Sequence, residues 1–223
     1  MTRLRLVVFD VDGTLIDSQN HIVAAMAAAF EGALLPLPAR AEVLSIVGLS
    51  LPVAIARLAP SASADTIADM VARYKGAFTA QRDVQDAPPY PGAIETLHAL
   101  VAEPDTLLGV ATGKSRRGLN HLFDLHGMHG FFQTTQVADD HPSKPDPAML
   151  LRALHETGTA ARDALMIGDT TFDMEMARAA GLRAIGVSWG YHPREALQAA
   201  GAEVIIDSYV DLRVLLDEDR RAR

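Results

Sequence analysis

The spacing of hydrophobic positions changes character along the chain. Leu4-Arg5-Leu6-Val7-Val8-Phe9 is a short apolar run that reads as a strand buried on both faces, and it leads straight into Asp10-Val11-Asp12-Gly13-Thr14-Leu15. After that the period becomes helical. Asn20 is the predicted N-cap of a first helix, behind which Ile22, Ala25, Met26, Ala29, Phe30 and Ala33 share a face until Pro36 and Pro38 end it. Further helices are predicted over 40–47, closed by Gly48 in the left-handed region, over 52–58 with Pro52 in the first turn, and over 65–81 with Ile67, Met70, Val71, Tyr74 and Phe78 aligned. Residues 85–92, Gln-Asp-Ala-Pro-Pro-Tyr-Pro-Gly, read as a stiff linker.

Beyond the linker, helices and strands alternate. Helices are expected at 93–101, 115–124, 147–156, 171–180 and 193–200, and strands at 107–111, 132–137, 164–167, 183–187 and 203–206. The charged end, 217–223, is expected to fray. Alternation of this kind predicts a parallel α/β sheet. The first strand is separated from the others by the helical block, so the block reads as an insertion. The expected division is residues 1–16 and 88–223 for an α/β core and 17–87 for the helical unit.

Composition narrows the possible partners. The 223 residues, 49% of them hydrophobic, suffice for a substantial core. A net charge of −8 and the lack of a dense basic run disfavour a nucleic-acid partner. No apolar run approaches membrane-spanning length, and the N-terminus carries no signal-peptide core. The chain has no cysteine, which removes thiolate chemistry and fits a cytoplasmic protein. Nothing in the sequence chooses between monomer and homodimer.

In an open parallel sheet, ligands collect at the C-terminal ends of strands. Here those ends carry Asp10 and Asp12, then Thr112-Gly113-Lys114, then Ser143-Lys144-Pro145, then Gly168-Asp169-Thr170-Thr171-Phe172-Asp173. Asp10 and Asp169 can share one hard cation, and Mg²⁺ suits a site of one or two carboxylates completed by water and phosphate. Asp10 is suited to accept a phosphoryl group, provided that a metal and Lys144 keep it ionised. Asp12, two residues on along extended backbone, projects to the same side and can act as general acid and then base. Gly13 allows backbone N–H groups to approach phosphate closely. The Thr112 hydroxyl, backbone donors around Gly113 and the Lys144 ammonium are expected to hold phosphoryl oxygens. Asp173, one helical turn beyond Asp169, can order Lys144 or a metal-bound water. Lys114, Arg116 and Arg117 read first as solvated, and His21, His126 and His129 as structural or solvent-facing. Trp189-Gly190-Tyr191 is expected to pack beside the last strands.

These four motifs, in this order, resemble those of the haloacid-dehalogenase-like hydrolases over nearly the whole chain. The resemblance implies a Mg²⁺-dependent phosphatase acting on a small phosphorylated metabolite through an aspartyl-phosphate. It also implies that the Asp12 backbone carbonyl joins Asp10 and Asp169 at the metal, and that the helical insertion is a four-helix cap. Asp17-Ser18 and Tyr90-Pro91-Gly92 look most like phosphoglycolate phosphatases. Gly48-Leu49-Ser50 falls where that cap type places its substrate-specificity loop. Gly113 departs from the family's frequent asparagine, and Leu51 stands where related mutases tend to have arginine, which lowers a phosphomutase reading. Pyrophosphate, nucleotides and sugar phosphates are alternative substrates. A silent phospho-ligand-binding module is the non-enzymatic alternative.

Overall fold

The computed structural model describes residues 4–82 and 86–221. Its six strands are β1 (Arg5–Phe9), β2 (Thr106–Thr112), β3 (Thr134–Val137), β4 (Ala164–Gly168), β5 (Arg183–Val187) and β6 (Val204–Ile206). All adjacent pairs are parallel, in the order β3-β2-β1-β4-β5-β6. The α/β fold expected from the alternation is present. The helices are α1 (Gln19–Gly32), α2 (Arg40–Leu44), α3 (Leu51–Leu58), α4 (Ala64–Arg82), α5 (Ala93–Val101), α6 (Arg116–His126), α7 (Ala148–Thr157), α8 (Thr171–Ala180), α9 (Arg194–Ala200) and α10 (Tyr209–Arg221).

β1 lies at the centre, and all five of its residues are buried. Side chains alternate across a strand, so Val7 and Phe9 enter one core with Leu97 of α5, Leu119 of α6 and Leu212 of α10. Leu6 and Val8 enter the opposite core with Met149 of α7, Met174 of α8 and Leu197 of α9. The strand order reverses between β1 and β4, because the chain winds outward first through β2 and β3 and later through β5 and β6. That reversal leaves a crevice at the C-terminal ends of β1 and β4. A third apolar cluster, including Met26, Phe30, Val43, Ile55 and Met70, joins α1–α4 and also takes in Phe172 from α8.

Several local expectations are corrected. Ser18, not Asn20, precedes the first helical residue of α1, and its hydroxyl donates to Asp12 Oδ1 at 2.6 Å instead of capping the helix. Asn20 Oδ1 accepts from Arg40 Nη2. The helix expected over 40–47 stops at Leu44. The chain then turns so that the Ser45 carbonyl accepts from His192 Nε2 at 3.1 Å, and Gly48 takes φ +99°. β3 begins at Thr134, because Phe132 stacks on Phe123 with ring centroids 5.3 Å apart. Residue 85 of the expected linker lies outside the described residues. Pro89 forms a bridge with Ile16, and the Tyr90 N–H donates to the Leu15 carbonyl, so this part of the linker is fastened to the first motif.

The largest correction is at the C-terminus. Where fraying was expected, α10 continues to Arg221 with Leu212 and Leu216 buried; residues 222 and 223 lie outside the described residues. Arg5 anchors this helix from the central strand. Its guanidinium donates to the Leu216 carbonyl at 2.6 Å and to Glu103 at 2.6 Å. Arg220 pairs with Asp105 at 2.8 Å, and Arg183 with Asp219. Leu212→Ala should therefore cost about 2–4 kcal/mol of stability, the range for opening a cavity in a packed core. Urea unfolding checks this; an unchanged midpoint would mean that α10 contributes no packing.

Candidate active site

Each strand end facing the crevice delivers a polar group, and hydrogen bonds fix how these groups meet. Asp10 follows β1, and its N–H donates to the Ile167 carbonyl of β4, which draws the two strand ends together. Lys144, in the loop after β3, reaches the centre with its side chain fully buried. Its ammonium donates to Asp10 Oδ1 at 2.8 Å and to Asp173 Oδ1 at 2.6 Å. Asp169 follows β4. Its Oδ1 accepts from the Thr14 hydroxyl and its Oδ2 from the Tyr191 N–H, each at 2.9 Å. Asp173 also closes a capping box with Thr170, because Oδ2 accepts from the Thr170 N–H and hydroxyl. Both of its oxygens are thus engaged by the protein.

Close backbone approach makes this packing possible. A Cβ on Gly13, which has φ +90°, would lie 2.3 Å from Asp169 Oδ2, and one on Gly190 would lie 2.1 Å from Asp169 Cβ. The first motif makes a tight turn at Gly13, whose own N–H donates to the Ile16 carbonyl. The Trp189 indole and the Tyr209 hydroxyl both donate to the Thr14 carbonyl, at 3.1 and 2.8 Å, and hold the same turn from the far side of the sheet edge.

The electrostatics are those of crowded, buried acids. Burial pushes the Asp10 carboxyl from its ordinary 3.8 up to about 7; Lys144 opposes the rise, while Asp173 and Asp12 add to it. Burial, then Asp10 and Asp173, likewise raise Asp169 well above the ordinary value, against the Tyr191 N–H and the Thr14 hydroxyl. Burial alone would lower the Lys144 pKa, but the Asp10 and Asp173 carboxylates outweigh it and the ammonium stays charged.

A cation fits this arrangement. Carboxylate oxygens of Asp10, Asp169 and Asp173 lie within 4.8 Å of one another, all buried. Among the described residues a single ammonium contacts the cluster, and Asp10 Oδ2 is buried with no hydrogen-bond partner. An all-oxygen donor set suits a hard divalent ion. Asp173 takes the Lys144 ammonium directly, whereas among the described residues the Asp169 carboxylate accepts only from the Thr14 hydroxyl and the Tyr191 N–H, both neutral donors.

Asp10 and Asp12 open into a cavity of about 750 Å³ between the sheet edge and the helical block. Thr112, at the end of β2, lines it; its hydroxyl oxygen accepts from the Lys114 N–H at 3.2 Å, which leaves the O–H proton to donate elsewhere. Lys114, read from the sequence as solvated, lies 3.0 Å from Asp12 Oδ2 and 5.0 Å from the centroid of the Phe78 ring on α4. Gly113 has a physical reason for being glycine. A Cβ there would meet the Leu49 and Gly48 carbonyl oxygens at 2.6 and 2.7 Å. The loop 48–50 is pressed against the second motif, and the Ser50 N–H donates to the Ser143 hydroxyl at 2.8 Å. Ser18 and Tyr191 were given no contact with Asp12 from sequence, and His192 was not singled out. Ser18 and Tyr191 hydroxyls lie 3.3 Å apart beside Asp12. His192 Nδ1 accepts from the Thr171 N–H, so its other nitrogen carries the proton given to Ser45. The pair Gly190-Tyr191 after β5 was the available signal. His129 bonds Asp124 at the surface, away from this cavity.

Comparison with known proteins gives the family. The family profile described as haloacid dehalogenase-like hydrolase matches residues 7–187. A probable phosphatase, IndB of Dickeya dadantii, is 36% identical over 212 residues, covering 93% of this chain and 91% of that one. A phosphoglycolate phosphatase of Pseudomonas putida is 33% identical over 223 residues, covering 95% and 78%. A hydrolase from Pseudomonas syringae superposes with a TM-score of 0.86 at 25% identity, over 96% of this chain and 98% of that one.

The raised Asp10 pKa has a measurable sign. Between pH 3.8 and about 7 the folded, metal-free protein binds a proton at Asp10 that the unfolded chain does not. This group's contribution to stability therefore falls as pH rises through that window. Without metal at pH 8, Asp10→Asn should be more stable than the parent by a few kcal/mol, at about 1.4 kcal/mol per pKa unit. The difference should shrink below pH 4. Denaturant unfolding in chelator at both pH values tests this, and a variant no more stable than the parent at pH 8 would contradict it.

Proposed function

The chain belongs to the haloacid dehalogenase-like hydrolases, and we propose that it is a Mg²⁺-dependent phosphatase of small phosphomonoesters that works through a phosphoryl group carried on Asp10. The observation that carries this reading is the state of Asp10. One of its oxygens is held by a buried ammonium, the other is buried without a partner, and the residue borders the cavity. A carboxylate so placed is fixed in direction and lacks hydration, both of which favour nucleophilic attack.

In this reading an oxygen of the Asp10 carboxylate attacks phosphorus, and the bond to the ester oxygen breaks. The leaving oxygen takes a proton from Asp12, whose orientation is fixed by the Ser18 hydroxyl and Lys114. Water then attacks the aspartyl-phosphate and gives a proton to Asp12, and the P–O bond to Asp10 breaks to release inorganic phosphate. The Thr112 hydroxyl donates to a phosphoryl oxygen, and backbone donors around Gly113 assist it. Lys144 keeps Asp10 in place and offsets its charge, and Asp173 positions Lys144. Mg²⁺, held by Asp10, Asp169 and the Asp12 backbone carbonyl, would supply the charge neutralisation that keeps Asp10 ionised and draws in phosphoryl oxygens.

We further propose that residues 17–87 form a cap over a core of 1–16 and 88–223, with Gly48, Leu49 and Ser50 in its substrate loop. Their contact with Gly113 and Ser143 supports this. Among the described residues no helix is long and apolar enough to cross a membrane, and the lack of cysteine fits the cytoplasm. The name of the Pseudomonas putida relative makes phosphoglycolate one small phosphomonoester to test against this site.

Asp10→Asn should reduce phosphate release to background with the circular dichroism spectrum unchanged. Asp12→Ala should lower kcat by about 10²–10⁴-fold, the usual worth of a general acid–base group. Chelation should abolish turnover, and added Mg²⁺ should restore it. Near-parental turnover of Asp10→Asn would refute the nucleophile.

A further inference from the structure

The cavity beside Asp10 is larger than a phosphoryl group needs, and its wall in the helical block is apolar. Ile22 and Met26 of α1, Ile46 and Leu49 of the following loops, and Tyr74 and Phe78 of α4 line its volume of about 750 Å³. Tyr74 and Phe78 stand one helical turn apart, with rings stacked at 5.9 Å and 20°. Water occupies about 30 Å³ per molecule in the liquid, so a leaving group the size of glycolate would leave room for on the order of twenty waters. These side chains offer such waters few hydrogen bonds.

The charges in the cavity argue in the same direction. Three cations border it: Lys75, Lys114 and Arg117. Lys75 and Arg117 are exposed. Lys114 is the inner one, and it is already paired with Asp12 at 3.0 Å and covered by the Phe78 ring. A carboxylate on the leaving group would compete with Asp12 for Lys114, the one of the three that is not exposed, and Asp139 also lines the cavity. An uncharged apolar group faces no such competition, and it gains by removing surface from water.

We infer that the leaving group of the substrate is uncharged, mainly apolar and larger than glycolate, seated against Tyr74 and Phe78; this rests on the phosphatase reading above. The test uses ethyl phosphate, 2-phenylethyl phosphate and phosphoglycolate, all esters of primary alcohols, with Mg²⁺. The kcat/KM for 2-phenylethyl phosphate should exceed that of each of the other two by about tenfold or more, as expected for burying a phenyl ring. Calorimetric binding of the same esters to Asp10→Asn with Mg²⁺ should give the same ranking. Phe78→Ala should lower the ratio of 2-phenylethyl to ethyl phosphate several-fold. Phosphoglycolate matching or exceeding 2-phenylethyl phosphate, in turnover or binding, overturns the inference alone. Phosphate release from none of the esters, with no binding, overturns the phosphatase reading and the inference with it.

Discussion

Burying like charges is the constraint to which the rest of this structure responds. Asp10, Asp169 and Asp173 stand within 4.8 Å of one another out of contact with water, and Lys144 is the ammonium between two of them. In the absence of a further cation such a cluster opposes folding. The protein tolerates it by holding each oxygen in a specified place. Asp173 is spent on Lys144 and on capping α8, and Asp169 is clamped by Thr14 and the Tyr191 N–H. Asp10 keeps one oxygen without a partner. The unmet demand is therefore concentrated at the residue that borders the cavity.

The sheet creates this arrangement through its strand order. Because the winding reverses between β1 and β4, the loops after these strands lead away from each other and leave a gap above the central pair. Lys144 enters the gap from the loop after β3, and Thr112 from the end of β2. The helical block then covers it, touching the core where Gly113 lets the carbonyls of Gly48 and Leu49 come close. The glycine that departs from the family's usual residue is the one that makes this contact possible.

Much of this was legible in the sequence because the signals were local. Buried strands ending in Asp10 and in Gly168-Asp169, a lysine before proline, and a switch from helical to alternating pattern each declare themselves within a few residues. What escaped depends on partners distant in the chain. Nothing near Lys114 reveals that Asp12 and Phe78 will enclose its ammonium. The role of Gly113 comes from carbonyls some 65 positions earlier, and Tyr191 acts through its backbone N–H, which residue type does not encode. α10 was missed because its exposed face is dense in Asp, Glu and Arg. Its buried Leu212 and Leu216 are only one stripe, and Arg5, whose bond to Leu216 fastens it, stands at the other end of the sequence.

The central place of β1 bears on how the protein is made. A ribosome delivers this strand first, yet its two neighbours are residues 106–112 and 164–168. Until they emerge, a strand that is apolar from Leu6 to Phe9 has both hydrogen-bonding edges open, which is a hazard for pairing with other chains. The helical block is completed between β1 and β2, and it consists of local contacts that form early. It can therefore mature while the other five strands of the sheet are still missing. Asp10 and Asp169 meet only after about three-quarters of these residues have been synthesised, so a prematurely terminated product ending before β4 would carry Asp10 without Asp169 beside it.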